Sequence, residues 1–178
     1  MTRTTRRPKT PLEEASTVDS IDLGDLARRA LEEAIRERGH ANVLIAGRTG
    51  VGKSTLINSI FQGNFATTGH GRPVTQNTRE INKDGIPLTI FDTRGLEMAD
   101  FANTIKSLRS FVSDRNTSRD EKKHIHVAWV CVEEDLRRVE QAETSLVEML
   151  ADFMPVVGVV TKARSDRGFQ AEVQRLLP

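Results

Sequence analysis

The stretch from Gly47 to Ser54, GRTGVGKS, limits what this chain can fold into more than any other part of it. It reads as a glycine, four variable residues and then Gly-Lys-Ser. An apolar run, Ala41 to Ala46 (ANVLIA), precedes it, and Ser54 to Phe61 follows with Leu56, Ile57, Ile60 and Phe61 at helical core spacing. Strand, glycine-rich turn and helix in that order bring backbone amides close to a polyanion. Gly47, Gly50 and Gly52 keep side chains out of the way, and the helix start adds its positive end. In such a loop Lys53 is expected to bridge outer phosphate oxygens. The Ser54 hydroxyl is expected to ligate Mg²⁺, a hard ion that prefers oxygen. Thr49, Val51 and Thr55 complete the expected phosphate-binding set.

The rest of the chain alternates in a way that suits this loop. Arg79–Lys83 and Ile86–Phe91 flank Asp84-Gly85, a dipeptide suited to a tight hairpin turn. His126–Val132 and Val156–Val160 are almost continuously apolar, as strands covered on both faces should be. Helical periodicity marks 100–115, 136–152 and 168–177, whereas 63–77 is rich in Gly, Thr and Asn and reads as a mobile loop. These runs predict an α/β fold, a three-layer, mainly parallel P-loop NTPase sheet with one antiparallel hairpin strand. Five strands are expected.

With 178 residues the chain fits one domain. Residues 1–20, with Pro8, Pro11 and the cluster Arg3, Arg6, Arg7 and Lys9, read as a flexible basic tail. Residues 21–39 carry Leu23, Leu26, Ala27, Ala30, Leu31, Ala34 and Ile35 at three- and four-residue spacing and read as an amphipathic helix. The nucleotide-binding domain is then 40–178. A net charge of +1 gives no global field for nucleic acid or anionic lipid, and four tail cations without interleaved aromatics make no strong nucleic-acid signal. The single cysteine, Cys131, excludes an intramolecular disulfide and sits in an apolar run. No stretch approaches the roughly 20 apolar residues that cross a bilayer, so a cytoplasmic location is expected. His124 and His126 lack a Cys or acid at ligand spacing and read as polar groups at a strand edge.

Leu88 to Gly95, LTIFDTRG, is the second motif: an apolar strand ending in Asp-Thr-x-Gly. Asp92 can hold Mg²⁺ through water, and the Gly95 amide can meet a γ-phosphate if its loop closes. With GRTGVGKSTLIN, RPVTQNTRE, FDTRGLE and VVTKARSD, the chain resembles the Era-like branch of the translation-factor-related GTPases, and more loosely the septin and immunity-associated GTPases. The resemblance runs from about Asn42 to Leu177. It implies a Mg²⁺-dependent switch between GTP and GDP, with either a second copy of the chain or an effector protein as partner. It also implies a switch threonine on the metal: Thr75 is the first choice and Thr78 the second. Catalysis is expected to rest on Lys53, Thr75, Asp92 and Gly95, with Ser54, Thr75 and Asp92 as metal ligands.

Five features depart from the family pattern. The guanine-reading motif, Asn/Thr-Lys-x-Asp, is represented by Thr161-Lys162-Ala163 with Arg164 in place of the acid; Asp166 is the nearest carboxylate. Leu96 stands where Ras-like enzymes place a water-orienting glutamine, and Gly50 where potassium-using relatives carry asparagine. Arg94 replaces a usual proline. The family fold also continues with one more strand and helix, which this sequence is expected to lack. These departures open a second reading, a nucleotide-binding regulatory or scaffold module with little hydrolysis.

Overall fold

The computed structural model describes residues 33, 36, 39–63, 71–95, 101–134, 139–163 and 168–176. The basic tail and most of the amphipathic helix expected over 21–39 lie outside them; Glu33 and Arg36 are helical and exposed, 3.7 Å apart as an i,i+3 ion pair. Six strands form one sheet: β1 (Ala41–Gly47), β2 (Arg72–Thr75), β3 (Thr78–Asn82), β4 (Leu88–Thr93), β5 (Val127–Glu133) and β6 (Val156–Thr161). Their order across the sheet is β2-β3-β4-β1-β5-β6. β4, β1, β5 and β6 run parallel, and β3 pairs antiparallel with both β2 and β4.

Period-two alternation along β1 builds both faces of the core. Val43 and Ile45 join Ile57 and Phe61 of α1 (Lys53–Phe61), with Ile81, Ile90 and Cys131. Leu44 and Ala46 turn the other way, toward Leu108 and Val112 of α2 (Phe101–Asn116) and Leu146 and Leu150 of α3 (Gln141–Ala151). Every residue of β1 is buried, as a central strand between two helical layers requires. Burying a side chain such as Phe61 or Leu44 contributes about 2 kcal/mol each. α4 (Phe169–Leu176) sets Phe169 and Val173 against Val132 and Val160.

The sheet has one strand more than expected. Residues 63–77 read as a loop, yet Arg72–Thr75 pairs with β3. Its side chains are mostly exposed, so no apolar alternation announces it, and Pro73 is tolerated because the strand is at the sheet edge. The hairpin expected around Asp84-Gly85 forms, with Gly85 at φ 81° and the Ile86 amide donating to the Lys83 carbonyl at 3.1 Å. The helix expected from Leu136 begins instead at Gln141. Glu140 is extended and forms a reciprocal capping box with Glu143, in which each side chain accepts the other's backbone amide. Glu133 is the last residue of β5.

Candidate functional site

The parallel strands β1, β4, β5 and β6 all point the same way, so Gly47, Thr93, Glu133 and Thr161 mark one end of the sheet. At the end of β1, Gly47 sits at φ 145°, and a Cβ there would lie 2.6 Å from the Cys131 carbonyl oxygen. That close approach lets the loop leave the sheet across β5, and only glycine permits it. Gly50 and Gly52 also carry positive φ, at 80° and 104°. Gly52 starts α1 with no side chain capping the helix, so the first amides of α1 remain available to an anion. Ser54 and Thr55 are exposed in that first turn, and Thr49 and Gly50 are exposed at the loop tip.

Lys53 is 8% exposed and donates to the carbonyls of Gly47 (2.8 Å) and Arg48 (2.9 Å). The ammonium thus threads back under its own loop. Burial lowers its pKa from the ordinary lysine range, opposed by the charges of Asp92 and Cys131. Asp92 shows the mirror effect: burial raises its carboxyl above the ordinary range, opposed by Lys53 and Arg79. Its Oδ1 is buried without a hydrogen-bond partner. The next residue anchors this end of β4 to β1, since the Thr93 hydroxyl donates to the Ile45 carbonyl at 3.0 Å. Cys131, behind the loop, has its thiol pushed up to about 12 by burial.

Asp92 also lines a cleft of about 440 Å³ together with Pro73, Thr75, Gln76, Asn77, Thr78, Arg79 and Arg94. Both candidate switch threonines are therefore brought beside it. They differ in setting: Thr78 is buried in β3 opposite Thr93, whereas Thr75 is exposed at the end of β2, its hydroxyl accepting the Asn77 amide at 3.1 Å. The Arg94 amide donates to the Asn77 carbonyl at 2.7 Å, tying the Asp92 segment to the turn between β2 and β3. Gly95 packs directly on the phosphate loop. A Cβ on it would overlap the Thr49 hydroxyl and lie 2.6 Å from the Thr49 Cα. Gln76, Asn77 and Arg79 fall in the RPVTQNTRE stretch that carries the resemblance, but have no individual role readable from the sequence alone.

At the far end of the sheet, the Thr161 hydroxyl donates to the Val51 carbonyl, with the Val132 carbonyl 3.2 Å away. Lys162 adopts φ 54° and its Nζ donates to Glu133 Oε1 at 2.7 Å. Leu96, Arg164 and Asp166 lie outside the described residues. His124 and His126 serve the opposite end of the sheet: His126 Nδ1 accepts the Asn42 amide at 2.9 Å, and His124 Nε2 lies 2.8 Å from the Ser118 carbonyl.

This combination of phosphate loop, half-buried aspartate at the end of β4 and threonine-bearing hairpin has a counterpart among known proteins. A family model described as "50S ribosome-binding GTPase" matches residues 42–162. The chain belongs to this GTPase family. It is 28% identical over 163 residues to the tRNA modification GTPase MnmE of Bordetella petrii, a match that covers 88% of this chain and 33% of the relative. A further match, 43% identical over 56 residues, is to Translocase of chloroplast 101 of Physcomitrium patens and covers 30% of this chain and 6% of the relative. The chain spans about a third of the length of the MnmE relatives. Among solved structures, Toc33 from Arabidopsis thaliana in complex with GDP and Mg²⁺ shares the fold, with TM-score 0.54 and 18% identity over 87% of this chain and 67% of that one. A probable GTP-binding protein engB also has TM-score 0.54, at 20% identity over 78% and 82% of the two chains. Among the described residues, no helix is long and apolar enough to cross a membrane.

Proposed function

We propose that this member of the GTPase family binds GTP with Mg²⁺ and hydrolyses it slowly to GDP and phosphate, using the two bound states as a conformational switch of the Era-like kind. The observation that carries the reading is the buried, unpartnered Oδ1 of Asp92 beside the Lys53 loop. A carboxylate held there with one lone-pair face unsatisfied suits a hard cation, and the oxygen donors around it are of the type Mg²⁺ takes. Ser54, Asp92 and one of Thr75 or Thr78 would hold the metal, which when bound neutralises charge on the transferring phosphoryl group. The uncapped start of α1 and the loop amides orient the phosphates. Lys53 compensates their charge, and the Gly95 amide lies on the loop it would have to sense. Thr161 and Lys162 would flank the base, with Asp166 as the nearest acid. A homodimer or an effector protein is the partner class this reading leaves open.

A second reading, binding with little hydrolysis, is favoured by Leu96 after Gly95 and by Gly50 at the loop tip, neither of which can orient water. Single-turnover hydrolysis of GTP, with and without potassium and at two protein concentrations, separates the two. Release of phosphate above buffer, abolished by Asp92→Ala, supports the switch enzyme. Activity equal to buffer under all conditions, with GTP bound, supports the second reading.

A further inference from the structure

Arg48 is the first variable residue of the phosphate loop, and it is gripped at both ends. Its backbone carbonyl accepts Lys53 Nζ at 2.9 Å and the Val51 amide at 3.4 Å. Its guanidinium reaches away from the loop, with Nη1 3.0 Å from Glu140 Oε2, and the two side chains are only 27% and 22% exposed. This contact is charge on charge without an aligned hydrogen bond. Glu140 is itself fixed. Its amide donates to Glu143 Oε2 at 2.6 Å, and its side chain accepts the Glu143 amide in return. Glu143 is 3% exposed, so the start of α3 cannot turn without disturbing the core that Leu146 and Leu150 enter.

We propose that Arg48 and Glu140 are positioning residues for the phosphate loop: the ion pair fastens the loop to the start of α3 and thereby places the Arg48 carbonyl that holds Lys53. Side chain and carbonyl of Arg48 act together because both hang on one backbone unit. A guanidinium released from Glu140 frees the Arg48 backbone, and the Lys53 acceptor moves with it. Partial burial makes the pair worth more than a surface ion pair, since fewer solvent dipoles screen it. The ion pair is the route by which Glu140 acts on the loop, through the Arg48 side chain. The inference rests on the nucleotide-binding reading for its effect on affinity, and on geometry alone for its effect on the loop.

The test uses the whole chain and two readouts. Amide hydrogen exchange of nucleotide-free protein follows the peptide spanning 47–56, and a fluorescent GDP titration with Mg²⁺ follows affinity. Arg48→Gln and Glu140→Gln, which remove charge with little change of size, are expected to speed exchange in that peptide but not across the sheet, and to weaken GDP about tenfold. Arg48→Glu alone should do the same or worse, and the exchanged pair Arg48→Glu with Glu140→Arg should recover both readouts to within about threefold. Unchanged loop exchange in folded neutral variants overturns the proposal. Acceleration spread over the whole sheet, or an exchanged pair no better than Arg48→Glu alone, does so as well. A parent chain that does not bind GDP removes the nucleotide reading, while the exchange data still support or overturn the pair.

Discussion

The two ends of the proposed nucleotide site, one for phosphate and one for the base, are built on opposite principles. At the proposed phosphate end, backbone shapes the site: Gly47 crosses β5 where no Cβ fits, Gly52 leaves the start of α1 uncapped, and Lys53 folds back onto two carbonyls of its own loop. At the base end, side chains do the holding. Thr161 is fastened to the Val51 carbonyl, and Lys162 is paired with Glu133 at a more exposed position. Backbone geometry is dictated by glycine spacing and tolerates little change, whereas a side-chain contact can be exchanged for another of similar reach. That difference fits a chain in which GRTGVGKS is intact and Thr161-Lys162-Ala163-Arg164 departs from the resembled base motif.

The contrast sets the order of expected effects. Lys53→Ala removes the one buried cation at the loop and should weaken GDP or GTP by at least about a hundredfold in a Mg²⁺-containing titration. Lowering the pH comes next. The Asp92 pKa is raised by burial, so the folded chain takes up this proton at a higher pH than free aspartate, and the proton competes with Mg²⁺. Mg²⁺-dependent affinity should therefore fall as pH drops through that raised value, by up to about tenfold per unit, and Asp92→Asn should abolish the dependence. For the metal-free fold the sign is opposite. A raised carboxyl pKa lowers stability as pH rises through the same window.

Effects at the base end should be smaller. Thr161→Val loses a hydroxyl that joins β6 to the phosphate loop and should destabilise by about 1 kcal/mol, lowering Tm by about 3 °C in a thermal melt. Glu133→Gln frees Lys162, whose side chain is 40% exposed, and should stay within about 0.5 kcal/mol in denaturant unfolding. If Glu133→Gln costs more nucleotide affinity than Lys53→Ala, the contrast between the two ends is reversed.

The glycine-rich loop and its flanking strand and helix were legible in the sequence because their determinants are local. Glycines at fixed spacing, an apolar strand before them and helical periodicity after them give loop and flanks without knowledge of the rest. Asp92 was legible for the same reason, as the polar end of an apolar run. What stayed hidden depends on partners distant in the chain. β2 escaped notice because an exposed edge strand with Pro73 has no alternation to show, and it is extended only because β3 offers it a ladder. The start of α3 was misplaced because Glu133 to Arg138 has the charges of a helix start, while the cap that operates is Glu140 with Glu143. Arg48 looked like a variable loop position, and only the packing of α3 beside the loop brings Glu140 to it.

The proposed site should bind a Mg²⁺-bound guanine nucleotide and select its base, even though Thr161-Lys162-Ala163-Arg164 departs from the resembled motif. A titration of GTP, GDP and ATP, each with and without Mg²⁺, tests it most directly. Both guanine nucleotides should bind, more tightly with Mg²⁺, and ATP should bind at least about tenfold more weakly. Equal affinity for ATP and GTP, or guanine-nucleotide affinity that ignores Mg²⁺, would contradict it.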